Sequence, residues 1–446
     1  MRPVSPPSSH PLWRDGLDSL SLPSLNDDFS CDVAIIGGGF SGLWSAFHLL
    51  SFDPSLSIAI FEGEEIGFGA SGRNGGWVSA DYPVDRVTLE RRYPDRDVAA
   101  FARLLAHGVD EIGEIAGKIS PRANYRKSGS LLFATNESQL RRLRESVDEK
   151  HHLLDARQAR EKVSIASAIG GLFTEECATV NPRGLLLDLA IHLKARGVAL
   201  FQHSYASRGA EDVMVNGYPV RAAWTIDARE AFRERSREQI PLYSLMVATR
   251  PLTPLEQKSV GWSPGLAIAE ATNNVNYGQM TLDARLAVGG RGAHYPYGSH
   301  LDRSLESASK THHELSRMIK GWFPELDQIE ITHHWGGAIA IRRNWESRIC
   351  VDQKKRFAQL GGYVGDGMTM SFVAARAVAA EITKGERSLA GMPIDSQCQS
   401  VKKWPIEPFR FIGANALFSN IRALDRAESK GKTVQFREAL LGLIGK

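Results

Sequence analysis

Cysteine is scarce in this chain, occurring four times in 446 residues. The four residues lie far apart and form no C-x-x-C pair: they are Cys31, Cys177, Cys350 and Cys398. We therefore expect reduced thiols in a reducing compartment, with neither a disulfide framework nor a thiolate metal site. Runs of about 18 apolar residues and an apolar N-terminal segment typical of signal peptides are also missing. These absences predict a cytoplasmic protein without a membrane span.

The chain also has no large excess of either charge, because it contains 54 Lys and Arg residues and 51 Asp and Glu residues. The basic residues form no single patch, so nucleic acid is not an expected partner. The stretch 140–162 is rich in both signs and predicts an exposed helix. Histidine pairs at 151–152, 312–313 and 333–334 belong to no H-E-x-x-H motif, so we predict no metal site.

Glycine, in contrast, is concentrated where the chain reads "DVAIIGGGFSGLWSAFHLL". The apolar run Asp32 to Ile36 predicts a buried parallel strand. Gly37, Gly39 and Gly42 then form G-x-G-x-x-G and open a helical pattern. In this motif the glycines permit a tight turn, close approach of a pyrophosphate and close packing of helix on strand. The helix N-terminus would offer N–H groups to the phosphates.

A second predicted strand, Ser57 to Phe61, places an acid where such a motif needs it. Glu62 follows the last glycine by about 20 residues, where a carboxylate can accept hydrogen bonds from a ribose diol. The same charge disfavours a 2′-phosphate, and therefore NADP. The next segment, "GEEIGFGASGRNGGWVS", predicts a glycine-rich loop that lies against a bulky planar ligand. There Arg73 could neutralise phosphate charge, and this loop favours FAD over NAD.

With "GGYVGDGM" near the C-terminus, these motifs resemble the FAD-dependent glycine/D-amino-acid oxidase (DAO) superfamily. The segments "GASGRNGGWVS", "WGGAIAIRRNW" and "WPIEPFRFIGANA" are similar to gamma-glutamylputrescine oxidoreductase and related amine oxidases. The resemblance implies an α/β (α+β two-domain) fold, in which a Rossmann-like FAD-binding domain interleaves with an antiparallel-sheet substrate domain. The FAD-binding domain would take residues 30–80, 151–235 and 340–388, and the substrate domain 81–150 and 236–339. Residues 1–29 would form an N-terminal arm and 389–446 a tail with an amphipathic C-terminal helix.

The motifs and the resemblance together indicate a set of cofactor-binding residues. They are Gly37, Gly39, Phe40, Ser41, Gly42, Glu62, Gly69, Ser71, Gly72, Arg73, Asn74, Gly75, Gly76, Ala206, Gly362, Gly365, Gly367, Met368 and Thr369. The residues after Gly367 predict a helix that ends at Gly385. In the family the N-terminus of this helix stabilises negative charge on the reduced flavin, which is the logic of an oxyanion site. No cysteine stands near Ala338–Ala340, where some relatives tether flavin, so we predict non-covalent FAD.

The implied reaction is hydride transfer from the carbon beside an amine nitrogen to the flavin, followed by hydrolysis of the imine. The cofactor carries this chemistry, so no catalytic triad is required. Segments that face the flavin in relatives supply the pocket candidates, namely Trp77, Tyr243, Met246, Tyr277, Trp335 and Arg342. An aromatic cage of this kind suits an alkylammonium group. The expected partners are a small-molecule amine and oxygen or another electron acceptor.

Two departures from the family pattern leave other functions open. Ile226 and Asp227 occupy a slot that holds small residues in relatives, and relatives place proline and glycine about where Ser347 and Cys350 stand. One alternative is a flavin-binding protein that has lost its activity. Another is an amino-acid oxidase or dehydrogenase of the D-amino acid, glycine or sarcosine type, with Arg291 or Arg342 clamping the carboxylate.

Overall fold

The computed structural model describes residues 7–208, 213–233, 237–291, 295–398 and 402–432. These residues form eighteen β-strands and ten α-helices. In chain order the strands are β1 (Phe29–Ile36), β2 (Ile58–Phe61), β3 (Trp77–Ser79), β4 (Ser130–Ala134), β5 (His152–Asp155), β6 (Gly170–Thr174), β7 (Cys177–Thr179), β8 (Ala199–Phe201), β9 (Ala206–Arg208), β10 (Val213–Val215), β11 (Tyr218–Asp227), β12 (Gln239–Thr249), β13 (Ala267–Glu270), β14 (Asn276–Met280), β15 (Leu286–Arg291), β16 (Ile331–Arg342), β17 (Arg348–Asp352) and β18 (Phe357–Gly361). The helices are α1 (Phe40–Phe52), α2 (Arg86–Arg92), α3 (Val98–Ile119), α4 (Glu137–Glu145), α5 (Ala156–Lys162), α6 (Pro182–Ala195), α7 (Pro254–Val260), α8 (Ser309–Trp322), α9 (Gly367–Lys384) and α10 (Phe409–Glu428).

The first sheet is mainly parallel and has the order β17-β18-β11-β1-β2-β8, with β10 and β9 added beside β11. Its central strand β1 is flanked in parallel by β11 and β2. Helices α1, α6 and α9 share one apolar core with this sheet. Gly42 allows α1 to pack closely on the strand, because a Cβ there would overlap the carbonyl oxygen of Gly37.

The second sheet has the order β16-β12-β15-β14-β13-β4-β6-β5 and is antiparallel except where β13 meets β4. Its longest pairing joins β12 to β16. Helix α8 packs on one side of this sheet, where Leu315 and Ile319 enter a second apolar core. The predicted fold class, a Rossmann-like α/β unit combined with an antiparallel sheet, is confirmed.

The segments that build the two large sheets cross the predicted domain boundaries at two places, and one is β16, which continues to Arg342 and so passes the boundary at residue 340. Strands β5 and β6 fall within 151–235, which was predicted to belong to the FAD-binding domain, but both pair in the second sheet. The prediction of one exposed helix over 140–162 is wrong as well. That stretch contains the end of α4, then β5, then α5, because His152–Asp155 finds a strand partner in Gly170–Thr174.

The N-terminal arm packs against the second sheet. Ser8 forms a parallel bridge with His333 of β16, and Leu12 and Trp13 are buried in a cluster with Met246 and Trp335. In the tail, the predicted C-terminal helix corresponds to α10 within the described residues. None of the helices that the structure describes is long and apolar enough to cross a membrane.

The expectation of four reduced thiols is wrong. Cys350 and Cys398 form a disulfide, with their Cα atoms 4.6 Å apart and a sequence separation of 48. The tail reaches β17 through the Val351 N–H, which donates to the Ser396 carbonyl at 2.9 Å, and this pairing brings the two cysteines together. Because disulfides are typical of oxidising compartments, the cysteine-based argument for a cytoplasmic location no longer holds.

Candidate active site

A cavity of about 440 Å³ lies at the carboxyl ends of β1 and β2, a volume in the usual range for cofactor and substrate pockets. The first sheet contributes Ile36, Gly37, Phe61 and Glu62 to its walls, and the second sheet contributes Ser244, Ala269, Tyr277, Gly337 and Ile339. Ligands of open α/β sheets bind at this edge. The cavity therefore lies between the two sheets, where both can contribute to one site.

The turn between β1 and α1 leaves room for a ligand only because it is built from glycine. Gly37 has a left-handed φ of +111°, and a Cβ there would lie 2.8 Å from the carbonyl oxygen of Ala228. A Cβ on Gly39 would lie 2.7 Å from Ser71 Oγ, which accepts the Phe40 N–H at 3.0 Å. The backbone at the start of α1 is thus exposed along one wall of the cavity.

Glu62 ends the turn after β2 with its carboxylate on the cavity wall. Its Oε2 accepts the Gly38 N–H at 2.7 Å and its Oε1 accepts the Glu64 N–H at 2.9 Å. Burial raises the pKa of this carboxyl group, while these backbone donors oppose the shift. The two N–H groups fix the carboxylate and leave lone pairs of its oxygens for a hydroxyl donor.

The glycine-rich loop is held in shape by its own polar side chains. Asn74 Nδ2 donates to the Ser71 carbonyl at 2.6 Å, and Asn74 Oδ1 accepts the Gly76 N–H at 2.7 Å. Arg73 donates to the Gly336 carbonyl at 2.9 Å and pairs with Glu306 at 2.6 Å. Arg73 was expected to neutralise phosphate charge, but its guanidinium instead connects the loop to β16.

Aromatic rings from the second sheet and from β3, which pairs with β7 in a small separate sheet, form another part of the wall. Tyr277 fits between Gly75 and Gly289, since a Cβ on either glycine would overlap its ring. The ring of Trp77 lies 5.9 Å from that of Tyr277 in an edge-on arrangement, and Tyr277 Oη lies 3.3 Å from Ser244 Oγ. Trp77 Nε1 is buried without a hydrogen-bond partner, which leaves one donor for a ligand.

The start of α9 closes another side of the cavity. Gly365, Asp366, Gly367 and Met368 line it, and Asp366 makes no side-chain cap hydrogen bond to the helix. The first N–H groups of a helix have no partner within the helix, and they carry its positive dipole end. This helix ends at Gly385 in a left-handed conformation, with φ +70°, as predicted.

The cavity brings together most of the cofactor-binding residues predicted from the sequence. Those that line it are Gly37, Gly39, Phe40, Ser41, Glu62, Gly69, Ser71, Arg73, Asn74, Gly75, Ala206, Gly365, Gly367 and Met368. Those that do not are Gly42, Gly72, Gly76, Gly362 and Thr369. These five lie behind the wall; Gly42 and Gly72, for example, pack on backbone of the first sheet and of the loop.

Of the six pocket candidates, only Trp77 and Tyr277 line the cavity. Tyr243 Oη accepts the Asp302 N–H at 2.6 Å, and Met246 and Trp335 are covered by the N-terminal arm. Arg342 donates to the carbonyls of Glu346 and Ser347. As for the other candidate carboxylate clamp, the side chain of Arg291 lies outside the described part of the chain.

Sequence reasoning missed Glu230, whose buried carboxylate lines the cavity. Its Oε2 accepts the Gly362 N–H at 2.6 Å and its Oε1 accepts the Ala340 N–H at 3.4 Å. Burial raises the pKa of this group to about 7, against the lowering effect of the backbone donors. The only indication in the sequence was that Glu230 comes soon after Ile226–Asp227, where the chain departs from the family pattern.

The departure itself does not fill the cavity. Ile226 is fully buried in the first core, and the Asp227 carboxylate binds Arg229 at 2.9 Å and Arg233 at 3.0 Å. These hydrogen bonds and charges hold the pKa of Asp227 below its usual value despite its burial. The position that holds small residues in relatives is therefore occupied by an ion-paired cluster. This cluster leaves the glycine turn open.

A family model described as "DAO: FAD dependent oxidoreductase" matches residues 32–381 of the chain. The chain belongs to this family. Gamma-glutamylputrescine oxidoreductase of Escherichia coli (strain K12) is 25% identical over 381 residues, which covers 81% of this chain and 86% of that protein. Glycine oxidase from Geobacillus kaustophilus has a similar structure, with a TM-score of 0.67 and 16% identity over 84% of this chain and 100% of that one. L-Proline dehydrogenase from P. horikoshii is similar at a TM-score of 0.65 and 17% identity, covering 83% and 98%.

The cofactor of this DAO-family protein is FAD, and the cavity fits it. A Cβ on Gly37 or Gly39 would clash with the Ala228 carbonyl oxygen or with Ser71 Oγ, both from residues that line the cavity, so only glycine allows the close backbone approach that a pyrophosphate needs here. Glu62 lies on the cavity wall and supplies the carboxylate acceptor that a ribose diol needs. The cavity thus has a backbone cradle for the phosphates and an acceptor for a ribose.

Proposed function

We propose that this protein oxidises a C–N bond of an amine, with FAD bound non-covalently and oxygen as the electron acceptor. When bound, the flavin accepts hydride from the carbon beside the amine nitrogen, and water then hydrolyses the imine. The E. coli relative is named for gamma-glutamylputrescine, which supports a polyamine derivative as the substrate class.

The observation that carries this proposal is that the arginine side chains lining the cavity are already held in ion pairs. Two arginines line the cavity among the described residues, and both are engaged: Arg73 with Glu306, and Arg229 with Asp227. Arg342 is outside the cavity and bound to carbonyl groups. An amino-acid substrate needs a guanidinium free to hold its carboxylate, whereas an amine without an adjacent carboxylate does not.

Each part of the cavity has a role in this proposal. The backbone at Gly37–Ser41 would hold the pyrophosphate, and Glu62 the adenosine ribose. The start of α9, at Gly367 and Met368, would place its dipole towards the negative charge that develops on reduction. Tyr277 and Trp77 would bind the alkylammonium end of the substrate by cation–π contact as it enters. The ammonium proton must then leave to water before hydride transfer, because the carbon beside a charged nitrogen does not release hydride.

The test is the anaerobic visible spectrum of the purified protein before and after addition of amines and amino acids. We expect gamma-glutamylputrescine or a related polyamine derivative to bleach the flavin bands, with glycine, sarcosine and D-amino acids leaving them unchanged. Readmitting air should restore the bands if oxygen is the acceptor. A Trp77→Leu variant should keep the flavin bands but bleach about tenfold more slowly at limiting amine, while Tyr297→Phe, exposed and outside the cavity, should behave as wild type.

The remaining outcomes identify the alternatives. Bleaching by amino acids alone would overturn the amine proposal in favour of an amino-acid oxidase, and Arg291→Gln would then test the carboxylate clamp. Arg291 ends β15 opposite Ser244 of the cavity wall. Flavin bands that no compound bleaches would favour a flavin-binding protein without redox activity.

A further inference from the structure

A cluster of metal-ligand side chains lies outside the cavity, between the N-terminal arm and β16. His10 and Asp15 of the arm meet His333 of the strand, and one ligand atom from each lies within 4.8 Å of the others. His333 Nε2 is 3.3 Å from Asp15 Oδ1, and His10 Nδ1 is 3.9 Å from the same oxygen. None of the three residues lines the cavity.

These distances suit a small divalent ion. Zinc binds imidazole nitrogen and carboxylate oxygen at about 2.0–2.2 Å, so neighbouring ligands of a tetrahedral site stand about 3.3 Å apart. The His333–Asp15 distance already matches this spacing, and only His10 must approach. The side chains of His10 and Asp15 are about half exposed, at 48% and 42%, so an ion and the water that completes its shell can enter.

The buried ligand is also oriented for metal binding by its second nitrogen. His333 Nδ1 lies 2.9 Å from Thr332 Oγ1, which leaves Nε2 directed at Asp15. A hydrogen bond on the non-ligating nitrogen is the usual way in which proteins fix a ligand imidazole. Backbone bonds hold the arm in register beside it, since the Ser8 N–H donates to the Thr332 carbonyl and the His334 N–H donates to the Ser8 carbonyl.

We propose that His10, Asp15 and His333 form a zinc site that fastens the N-terminal arm to the second sheet. The zinc site would act on the active site through Trp13, which lies between His10 and Asp15 in sequence. Its indole Nε1 donates to the Asn74 carbonyl at 2.8 Å, and its ring packs edge-on against Trp335. Trp335 in turn donates to the Arg73 carbonyl at 2.9 Å. Zinc would therefore hold the arm against the glycine-rich loop that lines the cavity.

The test is the zinc content of the full FAD-loaded protein, freed of any affinity tag. The protein is stripped with a chelator, incubated with excess ZnCl₂, passed through gel filtration, and analysed for zinc by mass spectrometry. We expect one zinc per chain in the wild type and its loss in His10→Gln, Asp15→Asn and His333→Gln. The His334→Gln variant is the matched control and should keep the ion, because the ring of His334 stacks on His312 instead. Zinc should also raise the Tm of wild type and control only.

Two results would overturn the site. One is a wild-type protein that retains no stoichiometric zinc, and the other is full retention of zinc by the three ligand variants. Because His333 is buried, its variant must show normal flavin bands to be counted; His10 and Asp15 are exposed, so their variants test the site even if His333→Gln does not fold. The outcome is independent of substrate, since it measures zinc and Tm rather than turnover.

Discussion

At the scale of single residues, two carboxylates beside the departure at Ile226–Asp227 differ in where their partners lie. Asp227 is stabilised by Arg229 and Arg233, and Glu230 receives backbone donors from β16 and from the loop before α9. The backbone donors that bind Glu230 are more than 100 residues away from it in sequence. The local sequence pattern therefore could not reveal these contacts. Burial raises the pKa of the Glu230 carboxyl group, and the backbone donors and the charge of Arg233 offset this only in part, so its contribution to stability should depend on pH.

The first prediction concerns Glu230 and pH. Its pKa in the folded protein is about 7, above the usual 4.5, so the folded state keeps a proton that the unfolded chain releases. The free energy of unfolding should therefore fall as pH rises from about 4.5 to about 7, by up to about 3 kcal/mol from this group. Glu230→Gln should remove that fall, which urea denaturation of the holoenzyme at pH 5, 6, 7 and 8 can measure.

Glu256 offers the control for this experiment. Its pKa is held at about 2 by Arg250, so its contribution to stability is lost only as pH falls below about 4.5. Glu256→Gln should shift the wild-type curve without changing its slope between pH 5 and 8. A Glu230→Gln curve that runs parallel to wild type over this range would refute the prediction.

A second prediction at this scale concerns Gly39. A Cβ there would lie 2.7 Å from Ser71 Oγ, so the turn that would hold the pyrophosphate would have to shift. Gly39→Ala should weaken FAD binding about tenfold or more, measured by titrating FAD into deflavinated protein and following flavin fluorescence. Gly117→Ala is the control, since a Cβ on that residue of α3 meets nothing within 4 Å. Equal FAD affinity in both variants would contradict the assigned role of Gly39.

At the scale of elements, local signals predicted some elements well and failed at others. The glycine motif predicted β1, the turn and α1, because the backbone conformation needed there is available mainly to glycine. Gly385 correctly predicted the end of α9 for the same reason. The charged stretch 140–162 gave a wrong helix, because β5 is defined by pairing with β6 rather than by its own alternation. Met246 and Trp335 were predicted for the pocket, but the arm covers them, and no pattern in the arm indicated where it would pack.

The arm supplies the element-scale prediction. Trp13 is buried at 3% exposure and donates to the Asn74 carbonyl. Trp13→Phe keeps an aromatic ring but removes the donor, so we expect a loss of about 1–2 kcal/mol in unfolding free energy together with weaker FAD binding. Trp322→Phe removes a similar donor from a buried indole, which bonds Glu270 at 3.2 Å far from the loop. That control should lose stability without losing FAD affinity; the same loss of affinity in both variants would exclude a specific role for the arm.

At the scale of the whole molecule, the tail is joined covalently to the first sheet. The Cys350–Cys398 disulfide links β17 to a segment that the sequence assigned only as a tail. With a sequence separation of 48 between the cysteines, the loop-entropy account gives a stabilisation of about 3–4 kcal/mol. Four cysteines without a short spacing gave no indication of this pairing, because it depends on how β17 and the tail meet.

The prediction that follows is measured by denaturation with and without a reductant. Cys398→Ser should lower the free energy of unfolding by about 3–4 kcal/mol, and a phosphine reductant should produce the same loss in wild type but no further loss in the variant. Cys31→Ser leaves the disulfide intact and should keep the response to reductant. A wild-type protein whose stability does not change on reduction would contradict the pairing.

The order of strands in the first sheet constrains how the chain can mature during its synthesis. Strand β1 is made early, yet its neighbour β11 ends at residue 227 and the next strand, β18, ends at residue 361. The wall of the cavity extends from Ile36 to Ser371. A ribosome must therefore release more than four-fifths of the chain before the pocket can close around its nucleotide. Strand β1 lacks its neighbour β11 until residue 227, about half of the chain, has been made. A nascent chain of this kind depends most on chaperones while such an apolar strand edge is unpaired.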